Sequence, residues 1–283
     1  MINKNKNIKF AFWGTPEVAS LTLSMLIESG YIPSVVITAI ARPVGRGLVL
    51  TPTPVQTLAE SNKIPVLTPE KIDESFIQEF KNNYPEIELS IVVAYGKILP
   101  QNIIDFPTKG TINIHYSLLP KYRGASPVES ALLNGDTETG VSIQRMVFKL
   151  DAGDIIAEAH VPISETESKE ELREILITEG AKLLINILPA YIAGEITPIA
   201  QDENLATHCG KIKKEDGEIN PEGNAKENYN KYRAYSGWPG VYFFKDGIRI
   251  KITKAKYEND SFVIDKIIPE GKKEIEYTEF LKK

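Results

Sequence analysis

Across the first 200 residues, apolar runs of strand length alternate with segments of helical period, and that rhythm limits the possible folds more than any other feature of the chain. IKFAFW (8–13) predicts a strand. After Gly14, the Thr15-Pro16-Glu17 sequence opens a helix, because proline fits a first helical turn, where its missing N–H is not needed. The pattern continues through PSVVIT (33–38), a Pro/Gly-rich loop (42–54), a helix over VQTLAES, the short strand IPVL and a polar helix from 69 to 82. LSIVVAYG (89–96) is apolar almost throughout, as expected of a central strand covered on both faces. TINIH and GVSIQRMVF predict two further strands on either side of the helix SPVESALLNG, and a long amphipathic helix runs from KEELREIL to Gly194. The βαβ repetition predicts an α/β fold, a doubly wound Rossmann-like domain over residues 1–200.

Beyond a polar, proline-containing linker (GEITPIAQDENLATH) the helical rhythm weakens. GVYFFKDGIRIKITKAKY places a KDG turn between two strands, and in IRIKI the residues Ile248, Ile250 and Ile252 face one way while Arg249 and Lys251 face the other. With SFVIDKIIP this predicts a small antiparallel β-barrel, OB-like, over residues 201–283, with one basic face. Charge follows the same division. Residues 1–200 hold 17 Lys+Arg against 23 Asp+Glu, a net −6, whereas residues 201–283 hold 16 against 15, a net +1. A polyanionic partner is therefore expected on the second part or on a local patch.

A single cysteine, Cys209, excludes an intramolecular disulfide and any zinc cluster built on cysteines. MINKNKNIKF lacks the apolar stretch of a secretory signal, and no uninterrupted apolar run reaches the roughly 20 residues of a membrane span, so a cytoplasmic protein with no membrane partner is expected. His115, His160 and His208 are far apart in sequence and lack ligand spacing, so no metal is expected.

Chemistry is expected beyond the C-terminal ends of the parallel strands, where ligands of doubly wound sheets bind. TINIHYSLLPKYRG (111–124) is such an end. Asn113 and His115 share one strand face about 7 Å apart and can converge on one substrate atom; the alternative is that both satisfy backbone groups of the following loop. In LDAGDI, Asp151 either partners His115, favouring the imidazolium, or caps its own turn; spacing does not choose. A nicotinamide dehydrogenase would share the architecture, but the first strand is not followed by G-x-G-x-x-G.

The ordered set FWGTPEVA, RPVGRG…TPTPV, VVAYGKILP, NIHYSLLPKYRGASPVESALLNGD, TGVSIQ and LDAGDI, with YRAYSGWPGVYF in the second part, resembles the methionyl-tRNA formyltransferases, within the formyltetrahydrofolate-dependent formyltransferases. The resemblance implies an enzyme that moves a formyl group from 10-formyltetrahydrofolate to the α-amine of methionyl initiator tRNA; a monomer is expected. It implies Asn113, His115 and Asp151 as catalytic residues. It also implies Ser117, Leu118, Leu119 and Pro120, with Val93 and Tyr95 opposite, as the folate site. ARPVGRGLVLTPTP corresponds to a loop that grips the tRNA acceptor end, with Arg42 and Arg46 on phosphates; Arg249 and Lys251, on the basic strand face of the second part, are expected as further tRNA contacts. This chain departs from the family pattern at Leu48 and Val49, where lysines are common, at Ala39-Ile40-Ala41 and at Tyr116. An amino-sugar nucleotide formyltransferase would share the Asn, His and Asp, but gives no reason for the arginine loop or the basic barrel face.

Overall fold

The computed structural model describes residues 8–45 and 47–282. In chain order the elements are β1 (Phe10–Gly14), α1 (Glu17–Glu28), β2 (Val35–Ile37), β3 (Arg42–Val44), β4 (Val49–Thr51), α2 (Pro54–Ser61), β5 (Val66–Leu67), α3 (Glu74–Asn83), β6 (Leu89–Val93), α4 (Gln101–Ile104), β7 (Thr111–His115) and β8 (Arg123–Gly124). There follow α5 (Pro127–Leu133), β9 (Glu138–Arg145), β10 (Ile155–Pro162), α6 (Lys169–Ala193), β11 (His208–Cys209), α7 (Ala225–Ala234), β12 (Val241–Lys245), β13 (Ile248–Glu258), β14 (Ser261–Pro269), β15 (Ile275–Glu276) and α8 (Tyr277–Phe280). The chain divides into two compact units that interleave along the sequence. The first comprises the described residues up to Arg123, with Gly140–Ala159 and Leu176–Ala206; the second comprises Gly124–Thr139, His160–Ile175 and the described residues from Thr207.

The first unit carries the body of a seven-stranded sheet in the order β10-β9-β7-β6-β1-β2-β5. Strands β7, β6, β1, β2 and β5 run parallel, and β9 joins β7 antiparallel. Strand order reverses beside β1, with β2 on one side and β6 on the other, as in a doubly wound sheet. Gly14 makes that point tight: a Cβ there would stand 2.6 Å from the Ala19 Cβ of α1 and 3.1 Å from the Val93 carbonyl of β6. α2 starts where Thr53 accepts a hydrogen bond from the Gln56 N–H, with Pro54 in its first turn, and α3 starts where Asp73 accepts from the Phe76 N–H.

Paired residues form a row across one face: Ile37, Trp13, Val92, Asn113, Gln144. Ile37, Trp13 and Val92 lie in a core with Ile77 and Phe80 of α3 and Ile103 and Ile104 of α4. Trp13 meets Phe80 at 5.5 Å and Tyr95, edge to face, at 5.4 Å between ring centres. At β7 the row turns polar. β6 pairs with β7 only as far as Val92–Asn113, so His115 stands beyond the last residue of β7 that β6 pairs with.

The Pro/Gly-rich segment is not plain loop: β3 and β4 form an antiparallel hairpin, pairing Arg42 with Thr51 and Val44 with Val49. α6, at 25 residues and a mean hydropathy of 1.5 over its most apolar window, is long and apolar enough to cross a membrane, although no apolar run had suggested it. Its Leu172, Leu176, Ala181, Leu184 and Leu188 are buried, which is what the core helix of a globular protein requires as well.

In the second unit, β12, β13, β14 and β15 form a four-stranded antiparallel sheet in that order. Ile250 and Ile252 are buried and Lys251 is exposed, so the alternation expected of IRIKI holds from Ile250 on; at the start of the strand it does not, since Ile248 is exposed and Arg249 half-buried. The guanidinium of Arg249 lies 3.8 Å from the Tyr242 ring centre. The hydrogen-bonded order is linear in the described residues. α7 packs on α5 and against β13 and β14.

Candidate active site

His115 ends β7 facing the loop that follows it. Its Nε2 lies 2.9 Å from the Tyr122 carbonyl oxygen. A carbonyl only accepts, so Nε2 carries a proton and Nδ1 is the nitrogen left to gain or lose one. Nδ1 faces Asp151 Oδ2 at 3.6 Å. Burial is the largest influence on this imidazole and lowers its pKa below 6.5, while the Asp151 charge and the Tyr122 carbonyl act in the opposite direction. The resting ring is therefore neutral at neutral pH, not the protonated donor that a carboxylate neighbour suggested. A proton arriving at Nδ1 converts the 3.6 Å contact into an ion pair.

Asp151 sits in a turn with φ +49°, in the left-handed region. The turn is pinned to β9: the Arg145 N–H donates to the Asp154 carbonyl at 2.9 Å, and a Cβ on Gly153 would run into the Arg145 carbonyl. Gln144 Nε2 donates to Asp151 Oδ1 at 2.9 Å, which leaves Oδ2 toward the histidine. Gln144 is opposite Asn113 and Ser142 opposite His115, so the four side chains share one sheet face. Asn113 is half-buried; Gln144 is buried, and its Oε1 has no hydrogen-bond partner among the described residues.

The following loop is held from inside. Ser142 Oγ accepts from the Leu119 N–H at 2.9 Å and lies 2.8 Å from the Ser117 carbonyl, and Ser117 Oγ donates to the Lys121 carbonyl at 2.6 Å. Ser117 and Leu119 are buried, Leu118 and Pro120 half-buried, and the Leu119–Pro120 peptide is cis. Val93 is fully buried, and Tyr95 lies in the core on Trp13, where burial raises its phenol pKa. In that segment the exposed positions are Ala94, at φ +46°, Gly96, and Ile98. Arg123, wholly buried, donates to Gln201 Oε1 and to Glu203; together with Lys149 it holds the Glu203 carboxyl down at about 2.

The structure thus gathers Asn113, His115 and Asp151 in one place, with Ser117–Pro120 directly after the strand. Arg42 is exposed on the β3–β4 hairpin, whose turn presents Leu48, 71% exposed. Arg46 lies outside the described residues. Sequence reasoning missed Ser142, Gln144 and Gln201. The alternation of GVSIQ puts Ser142 and Gln144 on one face and could have found them once the register was known; Gln201, inside what reads as linker, carries no such signal.

A formyl transferase family model matches residues 6–188, and a model of the formyl transferase C-terminal domain matches residues 211–263. A methionyl-tRNA formyltransferase from Halalkalibacterium halodurans is 42% identical over 250 residues, covering 88% of this chain and 78% of the relative; one from a Sulfurihydrogenibium species is 44% identical, covering 88% and 80%. The chain belongs to the methionyl-tRNA formyltransferase family. A solved methionyl-tRNA formyltransferase from Clostridium thermocellum, at 16% identity, covers 95% of this chain and 99% of its own with a TM-score of 0.61, and shows the same fold. Members of this family are formyl-transferring enzymes, and the chain's Rossmann-like sheet and C-terminal antiparallel sheet are the family's two parts.

Proposed function

We propose that this chain transfers the formyl group of 10-formyltetrahydrofolate to the α-amine of methionyl initiator tRNA, at the face shared by Asn113, His115 and Asp151. The observation that carries the reading is the buried His115–Asp151 pair beside a half-exposed Asn113 at the end of β7. When bound, the folate supplies an activated formyl carbon. Asn113 offers amide N–H donors where negative charge develops on the formyl oxygen, a contribution of about 10² to 10³ in rate for such a donor. His115, neutral at rest, takes the proton of the attacking amine at Nδ1. Asp151 then stabilises the imidazolium it faces, and the imidazolium returns that proton to the departing folate nitrogen as the formyl carbon–nitrogen bond breaks.

The residues fit a pterin. Ser117–Pro120 offers a rigid, internally braced loop, the exposed Ala94, Gly96 and Ile98 offer a second wall, and Val93 and Tyr95 stiffen that wall from the core. The buried Gln144 Oε1, without a hydrogen-bond partner among the described residues, leaves an acceptor for an N–H donor.

Residues 1–200 carry the chemistry in this reading. Residues 201–283, an OB-like module reduced to a four-stranded meander, hold tRNA through Arg249 and Lys251, with Arg42 on the hairpin, and by resemblance Arg46, supplying phosphate contacts. The enzyme works as a cytoplasmic monomer. The test offers labelled 10-formyltetrahydrofolate with methionyl initiator tRNA in one reaction and with an amino-sugar nucleotide in another. Label on the methionine supports the proposal, and label on the sugar alone overturns it.

A further inference from the structure

The two reactive side chains are tied together by a route that does not pass through the contact between them. His115 Nε2 is held by the Tyr122 carbonyl at 2.9 Å, and Tyr122 has φ +59°. The next residue, Arg123, donates from Nε and Nη2 to Gln201 Oε1 at 3.0 and 2.7 Å. Gln201 Nε2 in turn donates to the Asp151 carbonyl at 2.9 Å and the Gly153 carbonyl at 2.6 Å. Asp151 and Tyr122 are both non-glycine residues in left-handed backbone, a conformation that persists where surrounding structure over-determines it.

We infer that Gln201 and Arg123 are positioning residues, a strut that closes the ring His115–Tyr122–Arg123–Gln201–Asp151 and sets the distance between the imidazole and the carboxylate. Each partner is matched to that task. The Gln201 amide presents one oxygen to a guanidinium and one nitrogen to two carbonyls, so neither a carboxylate nor an apolar side chain can replace it. Arg123 is 1% exposed; its charge is met by Glu203 at 2.9 Å, so the strut is anchored by an ion pair at its far end. A buried guanidinium that gripped the loop for folding alone would not need a second carboxamide reaching the turn of Asp151.

The inference rests on the roles proposed for His115 and Asp151, and its test separates the two. Gln201→Glu keeps an acceptor for Arg123 but turns an oxygen toward the carbonyls of Asp151 and Gly153. In the full chain kcat should fall about tenfold or more while KM for folate and for tRNA stays within about twofold, as expected when positioning in the transition state is lost and binding is kept. His115 is one of three histidines, so its ring can be followed by NMR without substrate. Its titration should move to lower pH in Arg123→Lys, which leaves the net charge unchanged, because the Asp151 charge that favours the imidazolium recedes. Arg123→Lys keeps the charge and loses the fork on Gln201; it should show the same split, and the double variant should be no worse than Gln201→Glu. If Gln201→Glu does not fold, Arg123→Lys carries the test. A folded variant with unchanged kcat and an unmoved His115 titration, or with a loss confined to KM, overturns the strut. A wild type that does not formylate tRNA refutes the proposed function instead, and leaves the NMR comparison standing.

Discussion

His115 is the residue on which the account turns, and its environment sets a sign that can be measured. Burial lowers its pKa in the fold below the 6.5 of an unfolded chain, so the unfolded state binds the extra proton. Stability contributed by the neutral ring is therefore present above pH 6.5 and is lost as pH falls below it. The thermal midpoint should drop on acidification, and in His115→Gln the drop should be shallower, because that proton uptake is gone. An identical slope in the two proteins would show that the ring is not held neutral. At this scale the sequence is only half legible. The spacing of Asn113 and His115 on a strand already implies a common face, and resemblance brings Asp151 to them. Gln144 and Gln201 were not legible, because their meaning depends on register and on a turn that sequence spacing does not reveal.

Among the elements, long apolar runs were read correctly because burial on both faces leaves an uninterrupted signal: FAFWG and LSIVV are the buried centre of the sheet. Among short or polar elements the outcome was mixed: the strand in IPVL and the polar helix α3 were legible, others were not. β3 and β4 have three residues each inside a Pro/Gly-rich stretch, β10 mixes buried and half-exposed positions, and α7 buries Asn228, Asn230 and Arg233, so it shows no apolar period. Packing predicts a cost at α3. Phe80, 1% exposed and in contact with Trp13, should lose about 3–5 kcal/mol of stability on Phe80→Ala, read from denaturant midpoints, and a change under about 1 kcal/mol would deny its place in the core. On the hairpin, Arg42→Ala should raise KM for tRNA and reduce the slope of log K against log salt by about one, as loss of one phosphate contact does. Unchanged tRNA kinetics would make the hairpin a mere connection.

At the scale of the whole molecule, the two compact units do not follow the chain in sequence, and that decides what truncation does. A chain stopped after Ala206 keeps Gln201 and Glu203 on Arg123 but loses α7, which packs on α5. Val128, Ala131 and Leu132, buried in α5, should then be uncovered. The shortened chain should melt below the full protein and bind an apolar dye, and an equal melting midpoint would show that α7 contributes no core. The central claim, that the His115–Asp151 pair at the end of β7 moves a formyl group onto methionyl-tRNA, is met most directly by single-turnover transfer from labelled 10-formyltetrahydrofolate in wild type and His115→Ala. The account predicts formylmethionyl-tRNA from the wild type and a rate at least about 10²-fold lower in the variant, with folate and tRNA binding retained; a variant that transfers at nearly the wild-type rate would contradict it.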